Sequence, residues 1–107
     1  MTSLITPIVM PKWGLSMEEG VVERWLVDEG SAVEAGMEIA EVETDKITGM
    51  IEAPVKGVLR RKVAAERATL RCGALMGVIA DASVAEAEID EFIGSFVAAP
   101  DAGEASQ

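Results

Sequence analysis

Glu43-Thr44-Asp45-Lys46-Ile47-Thr48-Gly49 is the stretch on which the reading of this chain turns. The alternating run Met37 to Glu43 leads into it, and Met50 to Ala53 leads out. Period-2 alternation predicts two strands, and the polar Thr44, Asp45 and Lys46 between them predict a hairpin turn. Asp45 suits a turn because its short side chain can hydrogen-bond nearby backbone. Lys46 is then held at the tip, with its amine in water. A lone loop lysine ordinarily does no more than keep a loop soluble. What separates Lys46 from that reading is its place in an internal repeat.

The repeat emerges when the chain is slid 37 residues along itself, laying positions 20–42 over 57–79 without a gap. Gly20, Val21, Arg24, Glu29 and Gly36 recur as Gly57, Val58, Arg61, Glu66 and Gly73. Apolar positions exchange for apolar ones, with Val22 over Leu59, Val33 over Leu70 and Val42 over Ile79. Two copies are too few for a solenoid, which needs about three. They predict two similar β half-domains packed face to face, with Val22, Val42 and Ile79 in the core. Lys46 falls in the link between the copies. Lys56, the other turn lysine, instead precedes a repeat, at the position matched by Glu19.

A chain of 107 residues has the size of one domain. Half of it is hydrophobic but only 4% is aromatic, so the core must be built from aliphatic side chains and Met. No run approaches the roughly 18 apolar residues of a membrane span, and no signal peptide is visible. The net charge of −10 disfavours nucleic acid and anionic membranes as partners. Glu41, Glu43, Asp45 and Glu52 surround Lys46, so partners approaching the tip would suit basic surfaces. The single cysteine, Cys72, matches Ala35 in the repeat and reads as a small packing residue, in keeping with a reducing cytoplasm. With no histidine there is no Ser-His-Asp triad, no Cys-His pair and no His-containing zinc site. No catalytic residue and no metal ligand is assigned to this chain.

Leu4 to Met10 predicts a first strand, with Pro7 marking an edge or bend. Residues 11–20 form a loop in which Trp13 and Met17 either cover the end of the core, the commoner role, or line a partner surface. Gly20 to Val27 predicts a strand with Val22 on one face and Val21, Glu23 and Trp25 on the other. Near the C-terminus, Ile89, Phe92, Ile93, Phe96 and Val97 follow the spacing of one helical face. Ser83 and Glu86 have the spacing of a capping box ahead of it. The simplest reading packs this helix on its own β domain. Residues 98–107 have linker composition.

Together, Pro11-Lys12-Trp13-Gly14, Met17-Glu18-Glu19-Gly20, Trp25 to Gly30, Val33, Gly36 and Glu43-Thr44-Asp45-Lys46 resemble a lipoyl domain. Such domains belong to the dihydrolipoamide acyltransferase components of 2-oxo acid dehydrogenase and related complexes. The opening Pro11 to Met17 and the segment Gly57 to Arg61 look most like the acetoin dehydrogenase branch. The resemblance implies an all-β barrel-sandwich hybrid of two small antiparallel sheets with pseudo-twofold symmetry, here followed by a short amphipathic helix. Taken with the helix and tail read above, it divides the chain into a lipoyl domain at 4–82, a C-terminal helix at 83–97 and a linker or disordered tail at 98–107.

By the same resemblance, Lys46 is where a lipoate ligase or lipoyl transferase attaches lipoic acid, with Thr44, Asp45 and Ile47 flanking the presented amine. The lipoyl-lysine then serves as a swinging arm. It carries acyl groups, of which acetyl is the first expectation, from a thiamine-diphosphate dehydrogenase component to an acyltransferase centre with coenzyme A. A flavin-dependent dihydrolipoamide dehydrogenase restores it. Neither a subunit-binding domain nor an acyltransferase domain follows, so the chain is read either as a fragment or as a free-standing carrier. A biotin carrier shares the fold, but typically flanks its lysine with methionine, where this chain has Asp45 and Ile47. An unmodified adaptor of the same fold is the remaining alternative.

Overall fold

The sequence repeat becomes a structural one. A computed structural model describes residues 5–96. Leu4, Val97 and the expected tail at 98–107 lie outside the described residues. Strands run in the order β1 (Ile5–Val9), β2 (Glu19–Trp25), β3 (Ala32–Val33), β4 (Glu38–Glu43), β5 (Thr48–Glu52), β6 (Gly57–Lys62), β7 (Thr69–Arg71) and β8 (Leu75–Ala80). One helix, α1 (Glu86–Ser95), follows. The strands form two four-stranded antiparallel sheets, ordered β1-β8-β6-β3 and β5-β4-β2-β7. Neither closes into a barrel. Pro7 sits in β1, an edge strand, as its missing donor requires.

Rotation by the pseudo-twofold carries β2, β3 and β4 onto β6, β7 and β8, and β5 onto β1. The copies are not separate half-domains, however. β3 of the first copy pairs with β6 of the second, and β7 of the second pairs with β2 of the first. Each copy therefore completes the other's sheet, and neither has all its ladder partners alone. Trp25 and Lys62 match in the repeat, and the Lys62 ammonium lies 5.9 Å from the centre of the Trp25 ring. The twofold axis must pass between them.

The preserved residues now have physical reasons. A Cβ on Gly20 would come 3.0 Å from Val42, and one on Gly57 would come 2.7 Å from Ile79, its repeat equivalent. Gly36 and Gly73 turn the chain at φ 88° and 90°, where side chains with a Cβ are strained. The two glutamates act reciprocally. Glu29 accepts a bond from the Lys62 N–H at 2.8 Å, while Glu66 accepts one from the Trp25 N–H at 3.0 Å. Each carboxylate serves a backbone donor beyond the end of the short crossing strand. Glu66→Ala is expected to cost about 1–3 kcal/mol for its part-buried stranded donor, and Glu29→Ala, whose bond is exposed to water, about 0.5–1.5 kcal/mol. Urea denaturation tests this, and equal stability of both variants and the native chain would refute it.

Strict alternation fails in β2. Val22 pairs with Val42 but Arg24 with Glu41, a bulge that places one extra residue in β2. The bulge returns Trp25 to the same interior as Val22, against the expected opposite faces. Trp25 is 9% exposed, and its indole N–H donates to the Ala64 carbonyl at 2.9 Å. The core expectation itself holds, since Val22, Val42 and Ile79 are at most 1% exposed. Cys72 is buried, with its thiol donating to the Met17 carbonyl at 3.6 Å, in keeping with its reading as a packing residue.

The helix chooses its sheet by a break in the repeat. Glu41 and Glu43 on the outer face of β4 correspond to Val78 and Ala80 on β8, which are apolar and buried. Val78, Ala80 and Val84 pack with Ile89, against which Phe92 and Ile93 close the edge. Arg60 and Arg61 grip Glu86 at 2.7 and 2.5 Å, and Arg61 also holds Asp90 at 2.6 Å. The expected capping box does not form. The helix starts from Ala85 without a side-chain cap. Ser83 bonds Asp81 instead, through both its N–H and its hydroxyl, and the two arginines engage Glu86.

Hydrogen bonds from Arg60, then Arg61, hold the Glu86 carboxyl below its ordinary value of 4.5. A carboxyl with a depressed folded-state pKa stabilises the fold fully above its unfolded value, and that contribution is lost as pH falls through the depressed one. Helix docking is therefore expected to weaken below pH 4.5. The methyl resonances of Ile89 and Ile93 would report it. In Glu86→Gln the acid dependence should flatten, and an unchanged profile would refute the assignment.

Candidate functional site

Strands β4 and β5 pair from Glu38↔Glu52 to Glu43↔Thr48, which leaves Thr44 to Ile47 as the connecting turn. The symmetry-equivalent place, beyond the pair Ile5↔Ala80, is where the chain enters and leaves the β unit. The turn carrying Lys46 and the two ends of the β unit thus occupy equivalent corners. This gives structural content to the asymmetry between Lys46 and Lys56.

Two-residue hairpins favour turns with positive φ, yet among the described residues only Arg67 takes a positive φ without being glycine. Thr44 stabilises the alternative. Its hydroxyl oxygen receives the N–H of Lys46 at 3.2 Å and of Ile47 at 3.0 Å, and its own proton goes to the Ile47 carbonyl at 3.1 Å. The Thr44 N–H also donates to that carbonyl at 2.8 Å. Sequence reasoning gave this part to Asp45. The structure gives it to Thr44, and the signal that could have found it is a threonine opening a polar turn. Thr44→Val keeps the shape but removes the hydroxyl. It is expected to loosen the tip, seen as faster amide exchange at Lys46 and Ile47, whereas Thr44→Ser should restore protection. Equal exchange in all three chains would rule the hydroxyl out.

Asp45, Lys46 and Ile47 are all exposed. Lys46 makes no ion pair with another described residue, and its only hydrogen bond to a side chain runs through its backbone. Ile47 is 51% exposed despite being apolar. Nearby, Glu43 shares a hydrogen bond with Glu23, and that bond, with the repulsion between the two carboxyls, raises the Glu43 pKa above its ordinary value. The turn's surroundings are acidic, as composition suggested.

Facing the turn is the loop 11–18. The two enclose a groove of about 810 Å³, lined by Trp13, Met17 and Val21 on one side and by Thr44, Lys46 and Ile47 on the other. Met17 takes the first of the two expected roles, covering the core, and both residues line this groove. Met17 packs on the core and its sulfur accepts the Trp13 N–H at 3.2 Å, while the Trp13 ring lies over Gly49. A Cβ on Gly49 would come 2.8 Å from that ring. A lysine amine beside a groove that holds Trp13, Met17, Val21 and Ile47 together with Glu18, Glu19, Glu43 and Asp45 suits an amide-linked, uncharged, apolar arm, so the residues fit a lipoyl group.

A β-sandwich that presents one free lysine on a hairpin between two symmetric halves defines a carrier-domain class. The chain belongs to the biotin/lipoyl family described as "Biotin-requiring enzyme", whose profile matches residues 6–79. It is 54% identical, over 94% of its length, to the dihydrolipoyllysine-residue acetyltransferase component of the acetoin cleaving system of Cupriavidus necator. The matching component from Pseudomonas putida is 49% identical over 90% of this chain. The chain spans 27% and 26% of those two proteins. Among solved structures, the lipoyl domain of the 2-oxoglutarate dehydrogenase complex of Azotobacter vinelandii superposes with a TM-score of 0.56 at 29% identity. That match covers 69% of this chain and 96% of the other. This is a lipoyl-type domain of the acyltransferase-component kind, and lipoyl domains of that kind carry lipoic acid covalently on a lysine.

Proposed function

We propose that this chain is the lipoyl carrier domain of an acetoin-cleaving dehydrogenase complex and that Lys46 bears the lipoyl group. The observation that carries the reading is an exposed lysine, free of ion pairs to other described residues, at the tip of the turn between the two symmetric copies. When bound, the lipoyl group supplies a dithiolane that can take up an acyl group reductively, release it to a thiol and be reoxidised. The chain's own part is presentation. Thr44 fixes the backbone on both sides of the amine, and β4 and β5 hold that turn on a rigid sheet. Asp45 and Ile47 flank the amine for a lipoate ligase or lipoyl transferase.

The partners that follow are a thiamine-diphosphate dehydrogenase component, an acyltransferase centre that uses coenzyme A, and a flavin-dependent dihydrolipoamide dehydrogenase. The acyl group is acetyl, by likeness to the acetoin-cleaving components. Tethering such a carrier raises its effective concentration at successive active sites. The carrier unit is assigned to 4–82, the helical segment to 83–97 and a linker to 98–107. The setting is assigned to the cytoplasm. No described helix is long and apolar enough to cross a membrane.

The test is intact-mass and peptide mapping after incubation with lipoate, ATP and a lipoate ligase. One lipoyl group on Lys46 is expected, and none in Lys46→Ala. Modification at Lys56, or biotin taken up in preference to lipoate by the corresponding ligases, would overturn the assignment.

A further inference from the structure

The groove beside Lys46 has a wall that presentation of the amine does not require. A turn held by Thr44 needs no aromatic ring across from it, and a ligase needs only the exposed tip. Yet Trp13 is held at both ends, its backbone N–H donating to the Met17 sulfur at 3.2 Å and its ring lying against Gly49, where an added Cβ would come within 2.8 Å of it. Met17 is in turn anchored to the core. Trp13 is nonetheless 36% exposed and lines the groove, so a residue backed by Gly49 still presents surface to an occupant. Lys46 itself lines the same groove.

We infer that Trp13 and Met17 form a resting cradle for the lipoyl group on Lys46, which folds back into the groove when no enzyme engages it. This rests on the attachment reading above. The occupant follows from three features. It must be tethered at the groove's own wall, which Lys46 provides. It must be apolar and polarisable, because sulfur against an aromatic edge is a favourable contact, and Trp13 and Met17 offer an aromatic ring and a thioether. It must also be uncharged, because Glu18, Glu19, Glu43 and Asp45 share the groove and repel anions. Amide-linked lipoic acid has lost its carboxylate and meets all three conditions. Free lipoate and coenzyme A, both anionic, fail the last.

The test compares the unmodified chain with the chain lipoylated at Lys46, each verified by intact mass. The Trp13 indole N–H and the Met17 methyl are expected to shift in NMR spectra and to show NOEs to the dithiolane ring. The Trp25 indole, bonded to the Ala64 carbonyl inside the core, should not move. A second measurement reduces the dithiolane and follows alkylation of the dithiol by a maleimide. Trp13→Ala should speed it roughly two- to tenfold, the range that sulfur–aromatic contacts span. Gly49→Ala, whose Cβ displaces the ring while keeping it, should act in the same direction. A chain that takes no lipoyl group at Lys46 refutes the attachment reading and the cradle with it. A chain lipoylated at Lys46 overturns the cradle alone if its Trp13 and Met17 resonances do not move, or if both variants are alkylated at the native rate.

Discussion

A chain in which Asp45 and Lys46 are exchanged is expected to lose lipoylation while remaining folded. The exchange keeps composition and net charge, and it moves the amine by one residue. Neither side chain supports the turn, because the bonds that close it run from Thr44 to the backbone of Lys46 and Ile47. The fold should therefore survive, with an unchanged circular dichroism spectrum. Asp45 and Lys46 are neighbours in a tight turn, where successive side chains leave the backbone in different directions, so the displaced amine no longer meets the ligase's reacting centre. Misplacement by about 1 Å can cost on the order of a hundredfold in rate, so the exchanged chain should be modified at least that much more slowly. Asp45→Ala leaves the amine where it is and should retain most of the modification. Lipoylation of the exchanged chain at the native rate, measured by intact mass over time, would show that local composition and not position defines the site.

The second large effect falls on the core and leaves the site untouched. Ile79→Ala and Leu59→Ala each remove an aliphatic side chain at most 1% exposed, and should cost about 2–5 kcal/mol in lost burial and residual cavity. Ile79 also packs where Gly57 has no Cβ, so backbone from the second copy borders the void and cannot easily fill it. Against a total stability of about 5–15 kcal/mol, either change is severe. Lys46→Ala should by contrast stay within about 0.5 kcal/mol, as exposed positions usually do. Chemical denaturation decides it. A Lys46→Ala chain as unstable as Ile79→Ala would mean that the turn is part of the core.

How far each feature was legible in the sequence depended on how local its cause is. The β repeat was legible because its preserved glycines mark fixed points of the backbone. Gly36 and Gly73 answer to a turn conformation, and Gly20 and Gly57 to a close approach. The lysine turn was legible too, since alternation on either side leaves only 44–47 to reverse the chain. So was the helix, whose period is local, and even its sheet could have been read from Glu41 and Glu43 giving way to Val78 and Ala80.

Only the tertiary structure decided the rest. The bulge that turns Trp25 inward depends on the register between β2 and β4, and the exchange of β3 and β7 between copies depends on which edge each can reach. The reciprocal bonds of Glu29 and Glu66 join residues 33 and 41 positions apart, beyond any local pattern. The arginines that draw Glu86 away from a capping box come from β6, and the groove beside Lys46 exists because a loop before β2 folds over Gly49 in β5. Sequence periodicity records what each residue needs from its own backbone. Which distant residue meets that need is settled only when the two sheets pack.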